Sequence, residues 1–241
     1  MRNQKRDNKA PSNMEPAMIA KLVLQTLLYI AGMGALLFIA AGTLHWPAAW
    51  VFLAAMAVLG LGSGMWLAKT DPALLAERMR PMMQDEQPAA DKKFMLVFGF
   101  AALTWFIVIG LDARFHASNV PTALQALGLV LLVASTATIM WVMRENSFAA
   151  PVVKVQTERG HRVIDTGPYA QVRHPMYSGT ALFFFGVPLL LGSWWGVVLA
   201  PLFIVLFAIR AGIEERALLA GLPGYAEYTA RVRYRLVPGI W

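Results

Sequence analysis

The chain of 241 residues is 58% hydrophobic and 15% charged, with a mean hydropathy of +0.53, whereas soluble domains carry about 25% charged residues. That balance excludes disorder and argues against a water-soluble globule. The absence of cysteine excludes disulfides, thiolate metal sites, a cysteine nucleophile and thiolate-held haem or iron–sulfur clusters, and the formal net charge of +7 points to nucleic acid or a membrane surface until its placement is known.

A polar, basic head occupies residues 1–21. Leu22 to Leu44 then runs without a charge, long enough to cross about 30 Å of hydrocarbon and too long for a cleavable signal core, so it reads as a retained anchor. After the turn His45-Trp46-Pro47, Ala48 to Ala68 forms a second uncharged run, and the two make a helical hairpin. Lys69 to Lys93 is polar. Phe94 to Leu111 and Pro121 to Met143 make a second hairpin around a loop from Asp112 to Val120. Residues 22–143 thus form a four-helix transmembrane region. Residues 144–241 follow as a C-terminal unit: a polar stretch Arg144 to Arg173, an apolar region Tyr177 to Ile209 broken at Gly192-Ser193-Trp194 into two segments of about 15 residues, and a polar tail from Arg210 with an amphipathic helix. The fold class expected is an all-α polytopic membrane bundle of about six apolar segments, the last two a short hairpin.

Twenty of the 21 basic residues fall in segments on one side of this arrangement, and only Arg114 lies opposite. This is the positive-inside pattern: both termini and the long loops are expected in the cytoplasm. The charge is therefore a topology signal, and nucleic acid loses its support as a partner. No charge is expected inside a span, which makes an ion path unpromising.

Gly60-Leu61-Gly62-Ser63-Gly64 has the spacing of a nucleotide-binding turn but lies inside an apolar span, where small residues four apart serve close helix packing. His45 and His116 sit in the two short far-side loops as interfacial residues, and no metal site is expected.

Two polar clusters stand out. Gln156 to Tyr177 concentrates His161, Tyr169, Arg173, His174 and Tyr177 beside the membrane, with turns at Gly167-Pro168 and before Pro175 giving an irregular backbone able to wrap a ligand. A basic loop against lipid headgroups is the plainer reading. Beyond the last apolar segment come Arg210, Glu214, Glu215 and Arg216. On a continuing helix Arg210 and Glu214 share a face as a pair worth about 0.2–0.5 kcal/mol.

In this order the clusters resemble the isoprenylcysteine carboxyl methyltransferase family and the related phospholipid methyltransferases, and among these the bacterial members. The matching pieces are His161-Arg162-Val163-Ile164, Gly167-Pro168-Tyr169, the RHPxY of Arg173 to Tyr177, the RxxxE of Arg210 and Glu214 with Glu215 after it, and the tail Leu218 to Tyr228. The resemblance implies an enzyme of the inner membrane with no Rossmann domain. Its cytosolic pocket would take S-adenosylmethionine and release S-adenosylhomocysteine. It would line that pocket with His161, Arg162, Val163, Ile164, Gly167, Tyr169, His174, Pro175, Met176, Tyr177 and Glu214, with Gln156 as a further contact upstream. Arg210 would face the methyl acceptor, a lipophilic small molecule or lipid, with membrane lipids as the surroundings. A carboxylate acceptor needs orientation by a guanidinium, and an amine needs a base such as His174 or Glu215. The family's own reaction is carboxylate O-methylation of the isoprenylcysteine type; lipid N- and thiol S-methylation stay open. A nicotinamide-dependent reductase like the membrane sterol reductases, which share an RHPxY-like segment, and a non-catalytic assembly protein are the readings from other classes.

Overall fold

The computed structural model describes residues 16–241. Of the polar head, residues 1–15 lie outside the described residues, and Pro16 to Lys21 already belong to the first helix, α1 (Pro16–Ala41). Helix α2 (Pro47–Thr70) starts with Pro47 in the first turn, where its missing N–H has no partner to lose. The stretch after it contains a short helix, α3 (Pro72–Arg78), capped by Asp71, whose carboxylate accepts from Leu74 N at 2.9 Å. Helices α4 (Ala89–Phe115) and α5 (Thr122–Glu145) form the second hairpin. Two single 3-10 turns, Thr157–Arg159 and Gly167–Ala170, punctuate the polar stretch. The chain then enters α6 (Pro175–Leu191), α7 (Trp194–Gly221) and α8 (Tyr225–Arg231).

Five of these helices (α1, α2, α4, α5 and α7) are long and apolar enough to cross a membrane, and α6 is a shorter apolar helix. The fold is a polytopic membrane helix bundle, and no strand occurs among the described residues. Of the two short segments expected at the end, α6 has 17 residues, about 25 Å at 1.5 Å per residue, and is short. The second is not: α7 runs for 28 residues, because Arg210 to Ala220 are mostly good helix formers, Gly212 apart, and no proline follows Ile209 before Pro223. Gly192 in the left-handed conformation closes α6, and Ser193 caps α7 by accepting from Gly196 N at 3.0 Å. The expectation of charge-free spans is corrected as well. Helix α4 extends past Leu111 to Phe115, so Asp112 is helical and buried, accepting from the hydroxyls of Ser118 and Ser193 at the far end of the bundle.

In hydrocarbon there is little gain from moving apolar side chains between lipid and protein, so close backbone approach and shape decide the packing. The tightest seam is α5 against α6. A Cβ on Gly128 would stand 2.4 Å from Leu190 N and 2.6 Å from Gly186 O, and one on Gly186 would stand 2.8 Å from Gly128 O. In the span singled out for its glycines, Gly64 receives the side chain of Leu22 on α1, while Gly62 faces open space. Aromatic rings fill the centre: Phe184 and Phe203 stack with centroids 3.9 Å apart, and Trp105 donates its indole N–H to Gly196 O at 2.8 Å. Large side chains such as Leu28, Ile39, Phe100 and Val198 stay exposed on the outside, as a lipid-facing surface requires.

Successive spans are antiparallel. Gly128 meets Gly186 while Thr138 meets Gly179, and Phe184 meets Phe203 while Tyr177 meets Phe207. This alternation gathers α3, the start of α4, the end of α5, the polar stretch, the start of α6, the end of α7 and α8 at one end of the bundle.

Candidate functional site

The polar stretch is seated on the end of α5. Gly167 adopts φ +56°, and a Cβ there would fall 2.6 Å from Glu145 Cγ, so only glycine lets this turn lie flat against the helix end. The turn is pinned from two sides: Asn146 donates to the Tyr169 hydroxyl at 2.8 Å, and the Tyr228 hydroxyl donates to Tyr169 O at 2.8 Å. Further on, Arg173 N and His174 N donate to Tyr234 O and Arg235 O at 2.9 Å each, so the C-terminal tail is a backbone partner of the RHPxY segment. Pro175 is buried at the first position of α6, leaving His174 as a non-helical residue at φ −126°.

Two adjacent acids on α7 point in different directions, as neighbours about 100° apart on a helix must. Glu214 accepts from the Tyr177 hydroxyl at 2.6 Å and stands 3.3 Å from His174 Nδ1. Glu215 faces the other ring nitrogen at 3.2 Å, lies 2.7 Å from Arg173 Nε, and accepts from Arg235 Nε at 3.0 Å. His174 is thus clamped between two carboxylates. Burial works against its charged form, but the contacts with Glu214 and Glu215 outweigh it and raise its pKa above the ordinary histidine value.

The expected Arg210–Glu214 pair does not form. Arg210 instead donates Nε to Asp91 Oδ1 at 3.0 Å and Nη2 to Pro151 O at 2.6 Å, with Phe94 and Tyr177 rings flanking it at 5.4 and 5.8 Å. Asp91 is fully buried in the first turn of α4, and its second oxygen accepts from Gln87 Nε2 at 2.6 Å and Val153 N at 2.9 Å. A buried carboxylate with three donors, one of them cationic, outcompetes an i,i+4 partner that already holds a tyrosine and a histidine.

These groups surround a cavity of about 260 Å³. Of the expected site residues, His161, Arg162, Val163, Ile164, Tyr169, His174, Met176, Tyr177, Arg210 and Glu214 border it. Four do not. Gln156 is fully buried behind it, donating its side-chain amide to Phe148 O at 2.8 Å and its backbone N–H to His161 Nδ1 at 3.2 Å. Gly167 and Pro175 shape the backbone, and Glu215 turns away into its arginine contacts. Among the described residues Glu214 is the one carboxylate on the wall. Phe94, Phe98 and Phe207 make one side of the cavity apolar, and Tyr225 and Tyr228 of α8 close another. The Tyr225 hydroxyl is buried and has no hydrogen-bond partner among the described residues.

The remaining shifts follow from burial. Burial lowers the pKa of His161, with Glu214 pulling the other way, so its imidazole stays neutral, stacked on Phe148 at 4.5 Å. Burial raises the Tyr169, Tyr225 and Tyr228 phenols well above their ordinary value, so all three stay protonated. Among the described residues no group of three or more His, Asp or Glu side chains is placed to hold a metal ion.

Sequence reasoning missed Asp91, Gln87, Asn146 and Arg78. Asp91 sits in Ala89-Ala90-Asp91-Lys92-Lys93, a run that reads as a solvated helix start, and nothing local signals that this one acid faces inward. Tyr225 and Tyr228 were part of the resemblance but not assigned to the site.

The curated proteins compared with the chain give no match. Residues 123–222, which span α5, the polar stretch, α6 and α7 and so carry both polar clusters, match the family model described as phospholipid methyltransferase, and this match supports a place for the domain among the integral membrane methyltransferases.

Proposed function

We propose that the chain transfers a methyl group from S-adenosylmethionine to a lipophilic acceptor that reaches the cavity from the membrane. The observation that carries this reading is the arrangement of the cavity wall, where aromatic faces lie beside the carboxylate of Glu214 and suit a cationic sulfonium, while the basic residues Arg78, Lys154, Arg162, Arg173 and Arg210 on the same wall suit anionic groups of a cofactor or acceptor. The Tyr225 hydroxyl, buried and without a hydrogen-bond partner among the described residues, adds a polar atom that a ligand can engage, so the residues present fit the cofactor. When bound, it supplies an electrophilic methyl group on sulfur.

In this reading His161 to Ile164, Tyr169, Met176, Tyr177 and Glu214 hold the cofactor, while Gln156, Gly167 and Pro175 set the loop that carries them. The protein's task is alignment, which accounts for about 7–11 kcal/mol of barrier in well-oriented reactions. Arg210 is held rigidly by Asp91 and Pro151 O through Nε and Nη2, and among the described residues its Nη1 makes no hydrogen bond, which leaves that nitrogen for an acceptor anion. His174 has a carboxylate at each nitrogen, and Glu215 lies off the cavity wall, so neither is placed as a base. This supports an acceptor that arrives already ionised, a carboxylate of the isoprenylcysteine type. The match to the phospholipid methyltransferase model favours a second reading, transfer to a lipid amine, with Glu214 as the proton acceptor. The site end of the bundle carries the excess of basic residues and faces the cytoplasm of a bacterial inner membrane under the positive-inside rule.

The test is transfer of a labelled methyl group from S-adenosylmethionine to extracted lipids, prenylated carboxylates and lipophilic thiols by the purified chain. Label in a lipophilic product supports the reading and names the acceptor. No transfer to any class, together with a melting temperature raised by NADPH and not by S-adenosylmethionine, overturns it in favour of a reductase.

A further inference from the structure

Arg78, the last residue of α3, stands between two cavities. It borders the site cavity alongside Asn146, Tyr169 and Met176, and it also borders a second cavity of about 450 Å³ between α1, α2 and α5. The walls of this second cavity include Leu22, Leu59, Leu132, Ile139 and Met140. Three of its hydroxyls are spent on their own helices, Thr26 donating to Leu22 O, Ser63 to Gly60 O and Thr136 to Leu132 O, at 2.8, 3.2 and 3.1 Å, while the polar ends of Gln25, Tyr29 and Ser135 are the remaining polar groups of the wall. The wall is mainly apolar, with Arg78 as its one charged side chain among the described residues.

Apart from Arg162, which is exposed, the other cations around the site cavity have carboxylate partners that the guanidinium at this mouth lacks. Arg210 has Asp91, Arg173 and Arg235 have Glu215, and Lys154 has Glu77 at 2.6 Å. Arg78 has no carboxylate within ion-pair distance among the described residues. Its Nη1 donates to Ala149 O at 2.8 Å and approaches Met176 Sδ at 3.9 Å, and its other nitrogens make no hydrogen bond among those residues. Its neighbour Glu77 is engaged by Lys154 and Arg80. Burial disfavours the charged form of Arg78, with the Tyr169 phenol pulling the other way.

A partly buried guanidinium with spare donors, at the junction of a mainly apolar cavity and a polar one, matches one chemistry: an oxyanion joined to a hydrocarbon chain. We propose that Arg78 binds the anionic group of an amphiphile whose chain lies between α1, α2 and α5 and whose head enters the site cavity. The shared chemistry is a phosphate or a carboxylate on a long alkyl chain. That this amphiphile is the methyl acceptor rests on the methyltransferase reading; its binding does not.

Binding of dodecyl phosphate, dodecanoate and dodecanol to the purified chain in maltoside micelles tests this directly, without cofactor. The wild type is expected to take at least one of the two anions tenfold or more tightly than dodecanol, and the tighter anion names the source. Arg78→Gln is expected to lose that preference while its affinity for S-adenosylhomocysteine stays unchanged, and Arg78→Lys to keep most of it. Thr136→Trp, on the cavity wall, is expected to weaken all three alkyl probes about equally. Equal affinity for the three probes in the wild type, or an unchanged preference in Arg78→Gln, overturns the proposal. So does an Arg78→Gln variant that keeps the preference and loses S-adenosylhomocysteine, because Arg78 then serves the cofactor. If Arg78→Gln does not retain the wild-type melting temperature, Thr136→Trp decides: weakened binding with the anion preference kept supports the proposal, and unaltered binding overturns it. Failure of the methyltransferase reading is separately visible as a wild type that prefers the anions and does not bind S-adenosylhomocysteine.

Discussion

Arg210 on α7 and Asp91 on α4 meet across 3.0 Å, 119 residues apart in sequence, and this pair fixes the guanidinium at the rim of the cavity. Both side chains are withdrawn from solvent. A buried pair broken on one side leaves an uncompensated charge, which costs about 3–5 kcal/mol. Asp91→Ala is therefore expected to lower stability in detergent unfolding by about that amount and to reduce turnover with it. Asp91→Asn, which can still accept from Arg210, is expected to lose less stability. Wild-type stability and turnover in Asp91→Ala would mean that the pair positions nothing.

The Tyr225 hydroxyl offers a cleaner separation of binding from folding. It has no partner among the described residues, so Tyr225→Phe removes a buried unpaired group and should leave the melting temperature unchanged or slightly higher. If a ligand supplies the missing partner, the same change should weaken S-adenosylhomocysteine by up to about tenfold, since a net hydrogen bond contributes about 0.5–1.5 kcal/mol. Calorimetric titration of the two proteins reads both halves of this expectation.

His174 makes the site end sensitive to pH. Burial lowers its pKa and the carboxylates of Glu214 and Glu215 raise it by more, so the folded value lies above the unfolded value near 6.5. A raised folded pKa means that the stabilisation is fully present below about pH 6.5 and is lost as pH rises through the folded value. The melting temperature should fall over that window, and His174→Gln should flatten the fall. A wild-type profile already flat from pH 6 to 9, or one that rises, contradicts the clamp.

The α5–α6 seam gives a prediction about the scaffold. Gly128→Ala places a Cβ 2.4 Å from the Leu190 backbone, which must move, and overpacking of this kind costs about 1–3 kcal/mol. Gly62→Ala meets nothing within 4 Å and should be neutral or stabilising by about 0.5–1 kcal/mol. Unfolding of both variants in the same detergent checks the contrast.

The membrane bundle was legible because long uncharged runs have few other uses, and the site was legible in part because its loop residues lie close together in sequence. His161 to Ile164, Tyr169, His174, Met176 and Tyr177 come to one cavity through a single stretch of chain. The division of labour between Glu214 and Glu215 was not legible, since it depends on the rotation of α7, which the Arg210–Asp91 contact and the Tyr177–Glu214 bond reveal. Asp91 and Arg78 were hidden for a different reason. Each lies in a charged stretch that a hydropathy reading assigns to water, and only the folding of α3 and the start of α4 under the C-terminal half turns them inward. The apolar run marks only the lipid-facing part of α7, and the helix carries its polar end, with Arg210, Glu214 and Glu215, on to Gly221.

Titration of S-adenosylhomocysteine into the purified wild type and into Glu214→Ala and Glu215→Ala tests the central claim most directly. Glu214 is the carboxylate on the cavity wall and Glu215 faces Arg173 and Arg235 behind it. The account predicts measurable binding to the wild type and a loss of about a hundredfold or more in Glu214→Ala. It predicts a smaller loss in Glu215→Ala, accompanied by a lower melting temperature. A wild type that does not bind, or a Glu214→Ala variant that binds as the wild type does, would contradict it.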